Sequence, residues 1–138
     1  MGGLKIDHDI FISRIVLGEA LTARVTLLDN GVNVLVTGGI CTHVGSISVA
    51  QPVENGTDLQ ADINLTNIVL PGHYDNEISD KFACTLARAL NCTATVECGV
   101  HYDKLSSSGI KSVLSASEEL LQDLIAALRD RYSELAQL

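Results

Sequence analysis

Three of the four histidines stand beside glycine at points where the hydropathy pattern changes. His43 lies in "GGICTHVG", His73 in "LPGHYDNE" and His101 in "CGVHYDKL". Imidazole is the side chain that gains and loses a proton near neutrality and ligates metals. Glycine lets a backbone come close to a ligand, and loops at element ends are where a rigid scaffold displays functional groups. One loop histidine alone is most simply solvated, or bonded to a nearby carbonyl. Three in the same setting point to a shared site.

Three chemistries use these residues. A metal centre would take His43, His73 and His101 as ligands, with Asp75 or Asp103 in contact with the ion or behind a ligand. The spacing matches no close-spaced motif such as H-E-x-x-H. Nucleophilic catalysis would use Cys41 with a histidine base. Cys41 and His43 are two positions apart and point the same way only in an extended loop, so a small apolar loop residue is the plainer reading of Cys41. Anion or cofactor binding would combine glycine backbone amides, the imidazoles and helix N-termini. Both predicted helices begin just after an "HYD" stretch, which favours this third chemistry.

The elements that must position these loops are strands first. "LTARVTLLD" alternates, with Leu21, Ala23, Val25 and Leu27 on one face. "DNG", Asp29 to Gly31, supplies positive-φ residues for a tight hairpin. Val32, Val34 and Val36 share a face in "VNVLV". "GSISVA" sets Ile47 and Val49 against Ser46 and Ser48, and "ADINLT" alternates through Ala61, Ile63 and Leu65. "IFISRIVL" precedes them as the first strand of a meander. From Asp75 the period changes: Ile78, Phe82, Leu86 and Leu90 recur every fourth residue, predicting an amphipathic helix of about four turns. "TATVECGV" returns to alternation, with Ala94, Val96, Cys98 and Val100 inward. A final helix carries Ile110, Val113, Leu114, Leu120, Leu121, Leu124, Ile125, Leu128 and Leu135 on one stripe, with an N-cap among Ser106 to Ser108. The prediction is an α+β domain over residues 1–138: a mostly antiparallel sheet of about six strands, a meander first and then helix, strand, helix, with both helices packed on it. The polar strand faces predict a sheet face that is partly uncovered or meets a second subunit. Cys84, Cys92 and Cys98 read as structural, and Glu118, Glu119, Asp123 and Asp130 as the wet face of the last helix.

The bulk composition excludes several classes. The chain has 138 residues, of which 46% are hydrophobic, so it is long and apolar enough to bury a core. Its net charge of −8 argues against a nucleic-acid surface. No apolar run approaches the ~18 residues of a membrane span, and no basic region leads into an apolar stretch as in a signal peptide. Four cysteines without a C-x-x-C pair then predict reduced thiols in the cytoplasm.

"TGGICTHVGSISVA", "LPGHYDNEISDKFACTLARAL" and "CGVHYDKLSSSGI", in that order, resemble the LpdD-like family of prenylated-flavin chaperones. The resemblance runs from about Val34 to Ile110. It implies the fold of small proteasome-assembly chaperones, an antiparallel sheet flanked by helices and paired as a homodimer. It also implies a non-catalytic partner of a UbiD-type aromatic-acid decarboxylase, with prenylated FMN as a transient ligand. The family's recurrent residues fall on Gly38, Gly39, His43 and Gly45, then Pro71, Gly72 and His73, then Gly99, His101 and Asp103. With Asp75 at the helix start, Gly38, Gly39, His43, Gly45, Gly72, His73, Asp75, Gly99, His101 and Asp103 form the expected cofactor-binding set, with no catalytic residue and no metal ligand assigned. The chain departs from the family at Ile40, Cys41 and Thr42, where proline or small polar residues are expected. A metal-dependent hydrolase using the three histidines, and a ligand-free assembly module, are the alternatives. If the histidines stand in loops for function, each change to alanine should cost no more than about 0.5 kcal/mol.

Overall fold

The computed structural model describes residues 8–53, 62–72 and 75–137. The elements run β1 (Asp9–Val16), β2 (Glu19–Leu28), β3 (Gly31–Gly39), β4 (Ser46–Pro52), β5 (Ile63–Val69), α1 (Asn76–Leu90), β6 (Thr93–His101) and α2 (Ser107–Ala136). The predicted order and the α+β class hold. All six strands form one open sheet in the order β1-β2-β3-β6-β4-β5.

The meander is interrupted at one place. β6 inserts between β3 and β4, parallel to β3 and antiparallel to β4. Its alternating Ala94, Val96 and Cys98 are fully buried, as a central strand requires. The segment from Ile40 to Gly45 therefore is not a hairpin turn. It must cross the carboxyl end of β6 to carry the chain from β3 to β4.

Two cross-strand rows define the faces. Val25, Val34, Val96, Ser48 and Asn67 are successive register partners on one face. Both helices cover that face: α1 lies over β4, β5 and β6, and α2 over β1 and β2. Phe82, Leu86, Leu120, Leu121, Leu124 and Leu128 from the helices complete the core with Leu21, Val25, Val34 and Val36. The opposite row is Phe11, Arg24, Leu35, Glu97, Ile47 and Ile68. Among the described residues no helix covers it, and Phe11 and Ile68 are each 60% exposed.

Two local features differ from the sequence reading, and a third adds to it. Asp29, Asn30 and Gly31 carry no positive φ; the hairpin with both residues left-handed is Leu17–Gly18, at φ 52° and 79°. Gly31 is needed for space instead, because a Cβ there would overlap the Thr93 carbonyl at the start of β6. In β4 the serines face the core and the aliphatics face out. Ser46 and Ser48 are fully buried and each hydrogen-bonds the Ser79 hydroxyl of α1 at 2.7 Å, while the Ser48 hydroxyl also donates to Asp80. Small side chains there let α1 settle closely on the strand without unpaired hydroxyls. Finally, the acidic cluster of α2 lies on its wet face as expected, and three of its members form ion pairs across that surface. Arg14 of β1 bonds Glu119 at 2.7 Å and Asp123 at 2.8 Å, and Lys81 of α1 pairs with Glu118. The hydrogen bond from Lys81 holds the Glu118 carboxyl below the usual carboxylate range.

Candidate functional site at the carboxyl end of the parallel strand pair

β3 and β6 run side by side and end together at Gly39 and His101. α1 runs back along the sheet into β6, and α2 follows β6, so both helix N-termini stand at this same end. The crossing loop lies here too. Its path is fixed by hydrogen bonds from the Ile40 amide to the His101 carbonyl and from the Gly45 amide to the Cys98 carbonyl, each 2.9 Å.

The glycines serve this crossing. A Cβ on Gly99 would overlap the His43 carbonyl, and one on Gly45 would overlap the Asp75 carboxylate. A Cβ on Gly39, at φ 81°, would overlap the His101 carbonyl. Gly38 sits against Leu21 in the core. The glycines flanking His43 thus admit the protein's own backbone and a buried carboxylate. Gly72 alone of the set has open space around it, and its φ of 82° is the reason for glycine there.

Asp75 precedes α1 and makes no side-chain cap on its own helix. Its carboxylate turns inward and is 6% exposed. Oδ1 accepts the Val100 amide at 2.8 Å, and Oδ2 lies 2.9 Å from Nε2 of His43. Nδ1 of His43 lies 3.3 Å from the Cys41 carbonyl. Both partners are acceptors, so an imidazolium donates to both and a neutral ring to one. His101 turns to Asp103, with Nε2 3.0 Å from Oδ1, and this pair is exposed. The two imidazole rings meet edge to face with centroids 6.5 Å apart.

These groups rim a cavity of about 500 Å³. His43, Gly72, Asp75 and His101 of the expected binding set line it. Gly38, Gly39, Gly45, Gly99 and Asp103 do not line it, and His73 lies outside the described residues. The wall is apolar, and no residue of it was expected at a site: Val100 from the end of β6, Tyr102 and Leu105 after it, Ile78 from α1, and Ile110, Val113 and Leu114 from the first turns of α2. Ile110 is 48% exposed despite its place on the apolar stripe. Burial pushes the Tyr102 hydroxyl pKa up, the nearby Glu19 adds to this, and a backbone interaction at Gly39 opposes it.

The arrangement disfavours nucleophilic catalysis by Cys41. Cys41 is exposed and its thiol turns to the Thr42 carbonyl rather than to an imidazole. Among the described residues, no three His, Cys, Asp or Glu side chains stand together as metal ligands. Burial holds the Cys98 thiol far above its ordinary pKa, and the nearby Asp75 adds to this.

Residues 17–129 match the prenylated flavin chaperone LpdD-like domain. The chain belongs to that family. Among solved structures, it is similar to a chain from a chaperone complex for yeast 20S proteasome assembly. That similarity has a TM-score of 0.51 at 13% identity and covers 91% of this chain and 98% of the other, which establishes a shared fold. No curated protein matches the chain.

Proposed function

We propose that this protein holds prenylated FMN in the cytoplasm, delivers it to a UbiD-type aromatic-acid decarboxylase, and catalyses no reaction itself. The observation that carries this reading is the cavity at the ends of β3 and β6, in a chain of the prenylated-flavin chaperone family. Its volume of about 500 Å³ falls within the range of small-ligand sites, about 300–1,000 Å³. An apolar wall with a few polar groups at the rim is what a planar ring system with hydrogen-bonding edges requires. Ile78, Val100, Tyr102 and Leu114 would cover the ring, while His101, whose Nε2 faces Asp103, would bond its edge through Nδ1. The decarboxylation chemistry of the flavin belongs to the receiving enzyme. Here the residues bind the ligand and shield it from water.

A homodimer is part of the proposal. The uncovered sheet face is supported as its interface by the charges in one cross-strand row. Arg24 and Glu97 stand on either side of Leu35. A two-fold axis running along β3 in the interface would lay Arg24 of each copy over Glu97 of the other.

Anaerobic purification after co-expression with a flavin prenyltransferase tests the binding claim. A flavin absorption spectrum that stays with the protein through gel filtration is the expected result. Stoichiometric zinc without flavin would move the reading to the hydrolase alternative.

A further inference from the structure

We infer that the cavity takes the flavin ring-first and leaves the phosphate outside. This rests on the flavin reading above and specifies which end of the ligand the protein holds.

Phosphate sites are built from Arg, Lys and unspent backbone amides. Among the described residues the lining holds neither of the first two: its titratable groups are His43, Asp75, Glu77, His101 and Tyr102. Several amides at this end are already bonded. The Val100 amide donates to Asp75, the Ile40 amide to His101, and the Gly109 amide of α2 to the Ser106 hydroxyl. Both imidazoles at the rim, His43 and His101, face carboxylates. The first turn of α1 carries Glu77 beside Asp75, so acidic groups already complement its positive end. A phosphate dianion placed inside would face Asp75 and Glu77 without a lysine or arginine among the described wall residues.

A flavin ring meets the opposite conditions. Val100, Tyr102, Leu105, Val113 and Leu114 offer it an apolar wall, and the rim supplies hydrogen-bonding groups for its carbonyl and N–H edge. The ribityl chain then leads the phosphate out past the mouth into water. A receiving enzyme can grip that phosphate while the ring is still covered, which makes the transfer directional.

The test is anaerobic titration calorimetry with prenylated FMN and with the same compound after phosphatase treatment. The two should bind with Kd values within about threefold of each other. Raising salt from about 0.05 to 0.5 M should change either Kd less than about twofold, since no charge pair holds the ligand. Inorganic phosphate should not compete, and the flavin absorption band should shift on binding as the ring leaves water. Ile110→Glu, on an exposed edge of the wall, should weaken both compounds about tenfold or more, one full order by the usual arithmetic. Lys111→Glu should change neither. A dephosphorylated compound that binds more than about tenfold weaker, with inorganic phosphate competing, would overturn the ring-first inference and leave the flavin reading intact. Equal affinity of I110E and wild type for both compounds would also overturn it. Binding of neither compound would remove the flavin reading and this inference together.

Discussion

One carboxylate joins three parts of the chain. Asp75 accepts the Val100 amide at 2.8 Å through Oδ1 and meets His43 Nε2 at 2.9 Å through Oδ2. It ties the start of α1 to β6 and to the loop that crosses the end of β6. This answers why His43 sits in a glycine-framed loop: it latches the crossing as well as rimming the cavity.

The latch separates the two histidines at the rim, His43 and His101. Asp75→Ala leaves a buried amide and an imidazole without their partner and should cost about 2–4 kcal/mol. His43→Ala should cost about 1–1.5 kcal/mol, above the limit of about 0.5 kcal/mol expected for a histidine placed only for function. His101→Ala should stay within that limit, since His101 and Asp103 are both exposed. Urea denaturation of the three variants checks this. A negligible loss for H43A would remove the latch.

The glycines make a second contrast. Gly45→Ala and Gly99→Ala force a Cβ into Asp75 and into the His43 carbonyl, and each should cost about 2–3 kcal/mol. Gly72→Ala meets open space and bears only the strain of a positive φ, about 1–2 kcal/mol. Thermal melts of the three should rank Gly72 as the mildest. Equal melting temperatures for wild type and G99A would contradict the tight crossing.

Much of this was legible in the sequence. Period-2 alternation placed the strands, and the fourfold recurrence of Ile78, Phe82, Leu86 and Leu90 placed α1. The boundaries at His43 and His101 fall at the end of the sheet where the cavity lies. Strand order was not legible, because β3 and β4 read as neighbours until β6 is seen between them. That insertion turns Gly45 and Gly99 from ligand-facing residues into packing residues. The roles of Ser46 and Ser48 were hidden because alternation alone does not say which face is inner; their bonds to Ser79 decide it. The wall residue Ile110 looked like core because a stripe does not show where the helix outruns the sheet.

Cysteine reactivity should follow burial. Cys41 is exposed, whereas burial raises the Cys84, Cys92 and Cys98 thiols above their ordinary pKa. Only the thiolate attacks an alkylating reagent. Brief iodoacetamide treatment of the native protein at neutral pH should modify Cys41 first, and denaturant should expose all four. Peptide mass spectrometry showing Cys98 labelled as fast as Cys41 would contradict the packed core.

The open sheet face gives a charge-swap experiment. Arg24→Glu and Glu97→Arg should each weaken the homodimer by placing like charges over one another. The double variant restores opposite charges and should restore the dimer. Multi-angle light scattering across micromolar concentrations reads the mass. A wild-type monomer at high concentration, or a double variant no better than either single, would rule out this interface.

The central claim is delivery of the flavin. It is tested most directly by co-expressing a UbiD-type decarboxylase and a flavin prenyltransferase, with and without this protein, and measuring cofactor occupancy of the purified decarboxylase. The account predicts higher occupancy and activity with the protein present, and loss of that gain with Ile110→Glu. Equal occupancy and equal activity in the two arms would contradict it.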